Sequence, residues 1–233
     1  MTLIDSLIQK GWLKTPRIIE AFRKIKRADF LPSFAKATEG EPEDMKDLAE
    51  LDEALPIGYG QTISQPLVVA FMMELLRPEL GDKVLDIGSG SGWTSALLAE
   101  IVGNKGKIVA IEIIPELKEF GGKNVAKYNF IKKGIVEFLC ADGSKGYKKE
   151  APFDKILASA TVSEEIPIAW KEQLKVGGRI VTPVKDSIWL FIKKSPTVAP
   201  AAAEALAGKE NEFEKKEFPG FLFVPLVEAD RRG

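Results

Sequence analysis

The chain contains no histidine. That absence removes serine–histidine and cysteine–histidine catalysis, imidazole metal ligands and imidazole general bases in one stroke. Cysteine is nearly missing too. Cys140 stands alone, so neither an intrachain disulfide nor a cysteine-rich zinc site can form, and no metal site is expected. It lies in the apolar run from Val136 to Ala141, where a buried, inert thiol is expected rather than a nucleophile. An excess of charge is also lacking: 33 Lys+Arg against 34 Asp+Glu leave a net charge of -1, with no polybasic handle for nucleic acid. No window approaches membrane-spanning length, and the stretch from Met1 to Lys14 lacks the apolar core of a signal peptide. A cytoplasmic, soluble protein with neither nucleic-acid nor membrane partners is expected.

What is present is enough for one large domain, since 233 residues can bury a full core. Residues 3–13 and 16–28 carry apolar side chains at helical spacing (Leu3, Leu7, Ile8; Ile18, Ile19, Phe22, Ile25). Residues 33–54 turn acidic and read as a solvated loop with one helical turn near Met45–Leu51. The stretch from Leu55 to Gln65 is punctuated by glycine and leads into a helix over 66–77, with Pro66 suited to its first turn. Strand-like runs then fall at 83–87, 107–113, 135–140, 154–159, 178–184 and 187–193. Helical stretches at 93–102, 116–128 and 164–173 separate the first five of them. This alternation predicts a doubly wound α/β fold, Rossmann-like, with a mostly parallel sheet covered on both faces. Residues 196–212 read as a flexible excursion, and Phe221 to Val227 as a closing strand. The expected organisation is a single domain over 1–233: N-terminal helices and acidic insertion (1–54), loop and core (55–195), excursion (196–212) and C-terminal strand (213–233).

The run Asp86-Ile87-Gly88-Ser89-Gly90-Ser91-Gly92-Trp93 sets three glycines in the turn after a buried strand, where a ligand can lie against backbone N–H groups. A dinucleotide fingerprint spaces its third glycine one residue later, at the position Trp93 occupies. Glu112 ends the second strand of the alternating series, where a carboxylate can accept both hydroxyls of a ribose. Asp142-Gly143 ends the third, within reach of an adenine amino group, although Asp-Gly is also an ordinary turn. These signals coincide with the crevice expected outside the carboxyl ends of the strands. Ser64 falls beside the start of the 66–77 helix, where it can equally be a helix cap.

Asp86 with Gly88, Gly90 and Gly92 resembles motif I of the class I S-adenosylmethionine-dependent methyltransferases. Gly58 and the run Gly60-Gln61-Thr62-Ile63-Ser64-Gln65-Pro66 resemble the signature of the protein-L-isoaspartate (D-aspartate) O-methyltransferases. The likeness continues through Asp142-Gly143, Phe153 to Ile156, Gln173 to Arg179 and Phe223 to Val227, sparing only 33–54 and 196–212. The resemblance implies the class I methyltransferase fold, S-adenosyl-L-methionine as cofactor, isoaspartyl-containing proteins and peptides as substrates, and a monomer. It makes Ser64 the catalytic residue. Thr62, Ile63, Asp86, Gly88, Ser89, Gly90, Gly92, Glu112, Asp142 and Gly143 would bind the cofactor. Tyr59 departs from the histidine frequent in bacterial members, and Ala158 to Val162 only approximates the family's alanine-rich pattern.

The implied chemistry suits a chain without imidazole. Its nucleophile would be an α-carboxylate, whose pKa of about 3.3–3.7 leaves it ionised at neutral pH. Positioning is then the main task, with Ser64 as a hydrogen-bond donor, since a serine without a base is a poor nucleophile. The other readings are a class I methyltransferase with a different substrate, a non-catalytic S-adenosylmethionine-binding module and, weakest, a NAD-dependent oxidoreductase.

Overall fold

The structure is a computed structural model that describes residues 1–32, 47–195 and 212–226. Most of the acidic 33–54 segment and of the 196–212 excursion lies outside the described residues. Helix α1 (Leu3–Gln9) opens with a capping box in which the Thr2 side chain accepts from the Asp5 N–H and the Asp5 carboxylate accepts from the Thr2 N–H. Helix α2 (Pro16–Lys24) starts on its proline. Both stop short of the expected 3–13 and 16–28. The apolar residues beyond them, Leu13 and Ile25, still reach the core, each 1% exposed, but through turns. A short 3-10 helix follows at Arg27–Phe30, and another at Asp47–Glu50, where one helical turn was expected.

The punctuated stretch before Pro66 forms a small antiparallel hairpin that the sequence reading did not include. Strand β1 (Leu55–Gly58) pairs with β2 (Gln61–Ile63). Tyr59 and Gly60 form its two-residue turn, both at positive φ (56° and 70°), as a type I′ turn demands. Helix α3 (Pro66–Leu76) comes directly after.

The remaining elements are β3 (Lys83–Ile87), α4 (Trp93–Val102), β4 (Lys107–Glu112), α5 (Pro115–Ala126), β5 (Val136–Cys140), β6 (Phe153–Ala158), α6 (Ile168–Gln173), β7 (Leu174–Val184), β8 (Ser187–Lys193) and β9 (Phe213–Pro219). The seven strands β3 to β9 form one sheet in the order β5-β4-β3-β6-β7-β8-β9. Pairings from β5 through β7 are parallel; β8 and β9 join antiparallel. The chain leaves β3 for β4 and β5, then returns to β6 on the other side. Strand order therefore reverses between β3 and β6, and the crevice at their carboxyl ends is where such sheets hold ligands.

Side chains alternate across the sheet. Val84, Ile108, Val136, Leu157 and Val181 pack under α1 to α5, while Leu85, Ile87, Val109, Ile156 and Ile180 meet Trp170 of α6 on the other face. Both faces are covered, as expected, but unequally. None of the helices among the described residues is long and apolar enough to cross a membrane.

Three expectations need correcting. Cys140 is exposed rather than buried, because the edge strand β5 turns its last residue outward. The last strand among the described residues is Phe213–Pro219, whose Glu and Lys side chains face outward on the edge and hid its pattern. Residues 221–226 make only an isolated bridge, Thr161 to Pro225; Pro225 has no N–H to continue a ladder. The helix expected over 164–173 shrinks to Ile168–Gln173, since Pro167 occupies its N-cap.

Candidate active site

The turn after β3 is fastened to its neighbour by backbone: the N–H groups of Gly88 and Ser89 both donate to the Ile111 carbonyl, at 2.9 and 3.1 Å. Gly92 caps α4 at φ 86°, and a Cβ there would stand 2.8 Å from the Gly121 carbonyl oxygen and 2.7 Å from Val125. Only glycine meets both demands. Asp86 faces α4 beneath the turn, fully buried, and its Oδ2 accepts from Ser95 Oγ (2.6 Å) and Thr94 Oγ1 (2.9 Å). Burial pushes its carboxyl up to about 6, with the two hydroxyls opposing and nearby Glu112 reinforcing the rise.

A pKa raised by folding means that the native state binds the proton more tightly than the unfolded chain. Acidification from pH 7 to pH 4 is therefore expected to stabilise the protein relative to its Asp86→Asn variant, by about 2–3 kcal/mol. Urea unfolding of both proteins across that range would reveal it. A stability of the parent relative to the variant that falls or stays flat as pH drops would contradict this burial.

Glu112 ends β4 and is 6% exposed. One of its oxygens accepts from the Gly90 N–H (2.9 Å), the other from the Ile114 N–H (3.0 Å). The carboxylate thus ties the glycine turn to the end of its own strand. An ionised carboxylate has about four acceptor positions, so capacity remains for a ligand's hydroxyls.

The β1–β2 hairpin brings Thr62, Ile63 and Ser64 over the same crevice. Ser64 is not a helix cap: the N-cap of α3 is Gln65, and α3 has no side-chain cap from it. The capping is done from afar by Asp52, whose Oδ1 accepts from the Leu67 N–H at 2.8 Å while its carbonyl accepts from the Gln65 side chain at 2.9 Å. Loss of such a cap costs about 1 kcal/mol, so Asp52→Ala is expected to lower unfolding stability by roughly that amount, read from urea midpoints. The Ser64 carbonyl accepts from Arg27 at 3.3 Å. Its hydroxyl makes no hydrogen bond to any described residue.

These pieces enclose a cavity of about 320 Å³, a size suited to a small-molecule site. Among the sequence candidates, Thr62, Ile63, Ser64, Gly88, Ser89, Gly90, Glu112 and Gly143 line it together. Asp86, Gly92 and Asp142 do not. Asp86 and Gly92 sit behind the turn, as just described. Asp142 is held by its own turn, accepting from Ser144 N–H (3.0 Å) and Oγ (2.6 Å) and pairing with Lys145 (3.3 Å). Gly143 packs so closely on β3 that a Cβ would lie 2.4 Å from Ile87, and its carbonyl accepts from the Trp170 indole N–H. Two buried polar atoms of residues in the wall, Ser89 Oγ and Trp93 Nε1, have no partner among the described residues.

Three contributions went unread in the sequence. The wall formed by Leu222 to Leu226 is anchored by Thr161, through Thr161 N–H to Val224 carbonyl (2.9 Å) and Leu226 N–H to Thr161 carbonyl (2.8 Å). Pro225 within an apolar run was the available signal for a segment other than a central strand. Asp52 and Arg27 had no signal, since a charged residue reaching a distant carbonyl or N–H leaves no periodicity. Among the described residues no cluster of three or more acidic or cysteine side chains could hold a metal ion.

Comparison with known proteins agrees with this geometry. Residues 1–230 match the model of the family described as protein-L-isoaspartate(D-aspartate) O-methyltransferase. A protein-L-isoaspartate O-methyltransferase of Methanopyrus kandleri is 38% identical over 229 residues, covering 97% of this chain and 89% of the relative. Another, from Archaeoglobus fulgidus, is 42% identical over 211 residues, covering 90% and 84%. A solved protein-L-isoaspartate O-methyltransferase superposes with a TM-score of 0.77 at 27% identity, over 97% of this chain and 65% of that longer one.

Proposed function

The chain belongs to the protein-L-isoaspartate(D-aspartate) O-methyltransferase family, and from that premise we propose that it methylates the α-carboxylate of isoaspartyl residues in damaged proteins and peptides, with Ser64 as its catalytic residue. The observation that carries the assignment of Ser64 is its place in the wall of the same cavity as the Gly88–Gly90 turn and Glu112, with its hydroxyl bonded to no described residue. The residues present fit S-adenosylmethionine. Glu112 keeps acceptor capacity for ribose hydroxyls, and Ser89 Oγ and Trp93 Nε1 are buried donors in want of an acceptor. When bound, S-adenosylmethionine supplies an electrophilic methyl group.

The protein's own work is positional. Thr62, Ile63, Gly88, Ser89, Gly90, Glu112 and Gly143 would hold the cofactor from the lining. Asp86 and Gly92 would keep the turn in shape from behind it, and Asp142 the turn beside Gly143. Ser64 would donate to one carboxylate oxygen of the substrate, leaving the other free to react in line. No base is required, because an α-carboxylate is already ionised at neutral pH. Alignment of this kind can contribute on the order of 7–11 kcal/mol to lowering a barrier. The half-buried Phe223, Val224 and Leu226 of the wall would exclude water, which otherwise solvates the carboxylate and weakens it as a nucleophile. The resulting methyl ester is open to attack by the next backbone nitrogen, which closes a succinimide as methanol leaves carrying the amide proton, and hydrolysis of that ring returns a fraction of the substrate molecules to normal aspartate.

Incubation with methyl-labelled S-adenosylmethionine and two peptides differing only in an aspartyl or isoaspartyl linkage tests the proposal. Base-labile label on the isoaspartyl peptide alone is expected. Equal labelling of both, or of neither, would refute it. For the cofactor wall, Glu112→Gln is expected to weaken S-adenosylhomocysteine binding at least tenfold by calorimetry, because the amide offers one acceptor oxygen where the carboxylate offers two. Unchanged affinity would remove Glu112 from the site.

A further inference from the structure

Arg27 is the most heavily committed buried charge outside the cavity lining. It is 6% exposed, at the start of the 3-10 helix after α2. One guanidinium nitrogen donates to the carbonyls of Ala49 (3.2 Å) and Leu51 (3.0 Å), the other to those of Glu53 (2.6 Å) and Ser64 (3.3 Å). Its planar head also lies 5.5 Å from the centre of the Trp93 ring, within cation–π range. Trp93 in turn meets Phe22 of α2 edge-on and contributes to the cavity wall. Burial lowers the guanidinium to about 10, which leaves it fully charged at neutral pH.

An ion removed from water is tolerated only where dipoles replace its hydration, and here four backbone carbonyls serve the two terminal nitrogens, while Nε is buried without a partner among the described residues. They belong to two separate segments. Three lie between Ala49 and Glu53; the fourth is the peptide of the proposed catalytic serine. Fixing the Ser64 carbonyl restricts ψ of Ser64 and so limits the directions open to its hydroxyl. The second tie, from Asp52 to Gln65 and Leu67, holds the following residues to the same segment. The 3-10 helix after α2 thereby reaches Ser64 through the Arg27 side chain, beside the Phe22–Trp93 contact made by α2 itself.

We propose that Arg27 is a positioning residue for Ser64: by holding the Ser64 carbonyl and bracing Trp93, it sets the direction in which the hydroxyl meets the substrate carboxylate. This rests on the assignment of Ser64 made above. Lysine cannot replace arginine fully, since a single ammonium lacks the span of two nitrogens bonded to four carbonyls.

The test is a double-mutant cycle on the full chain, with Arg27→Met, Arg27→Lys and Ser64→Ala alone and combined. It reads kcat and KM with the isoaspartyl peptide, S-adenosylhomocysteine affinity by calorimetry, and melting temperature. Arg27→Met is expected to lower kcat 30- to 100-fold with cofactor affinity within about threefold of the parent. Arg27→Lys is expected to recover at least a third of a log unit of that loss. Because Arg27 acts through Ser64, adding Ser64→Ala to Arg27→Met is expected to cost less than about fivefold more, far below its cost in the parent. Equal losses of cofactor affinity and kcat, or a Ser64→Ala penalty identical in both backgrounds, would overturn the proposal in favour of a purely structural role. If Arg27→Met fails to fold, the Arg27→Lys background carries the same cycle with the same criteria. The parent's own activity separates the two readings. A parent that leaves the isoaspartyl peptide unmodified refutes the function, whereas an active parent with additive variants refutes only the role of Arg27.

Discussion

Ser64→Ala is expected to lower kcat about 100-fold while S-adenosylhomocysteine binds within about threefold of its parent affinity. The size follows from removing one preorganised donor from a site where charge is being held, which typically costs 10²–10³ in kcat. The selectivity follows from the structure. Ser64 has its carbonyl anchored to Arg27, while its hydroxyl makes no hydrogen bond to a described residue, so alanine removes no hydrogen bond among them. The bonds that hold the Gly88–Gly90 turn and Glu112 do not involve Ser64 and are untouched. Steady-state kinetics with an isoaspartyl peptide, run beside calorimetry, checks both halves. An equal loss of kcat and cofactor affinity would make Ser64 part of the cofactor wall instead.

The second large effect is structural. Gly92→Ala is expected to destabilise the fold by about 3 kcal/mol or more, and with it the cofactor site. Left-handed backbone costs a non-glycine residue roughly 1–2 kcal/mol, and forcing a methyl into filled space about 1–3 kcal/mol more. Both penalties apply at once. The new Cβ would sit 2.8 Å from a backbone carbonyl of α5, so no side chain can rotate away to accommodate it. Chemical denaturation would show the shift directly. Near-parental stability would mean that α4 and α5 can separate at that point, contrary to the packing described.

Much of the architecture was legible because apolar periodicity reports burial. Strands β3 and β8 and helix α4 fall on the expected residues, and strands β4 to β7 begin or end within a few residues of expectation. Legibility failed where physics other than burial decided. Strand β9 is an edge whose Lys and Glu side chains face outward, so it has no apolar alternation to read. The β1–β2 hairpin rests on two residues at positive φ, one of them Tyr59, a residue type that gives little warning of it. In the site, residues that line the cavity were found through motif spacing, whereas Asp86 belonged to the motif but lies beneath it. Arg27 and Asp52 were invisible, since each acts on backbone groups more than ten positions away. A lone charged residue in a short connecting segment carries no local pattern.

The Leu222–Leu226 wall has a consequence for biosynthesis. These residues leave the ribosome after every strand of the sheet, and they complete the pocket by pairing with Thr161. A chain that has made its described strands but not yet these residues therefore lacks one wall of the cavity.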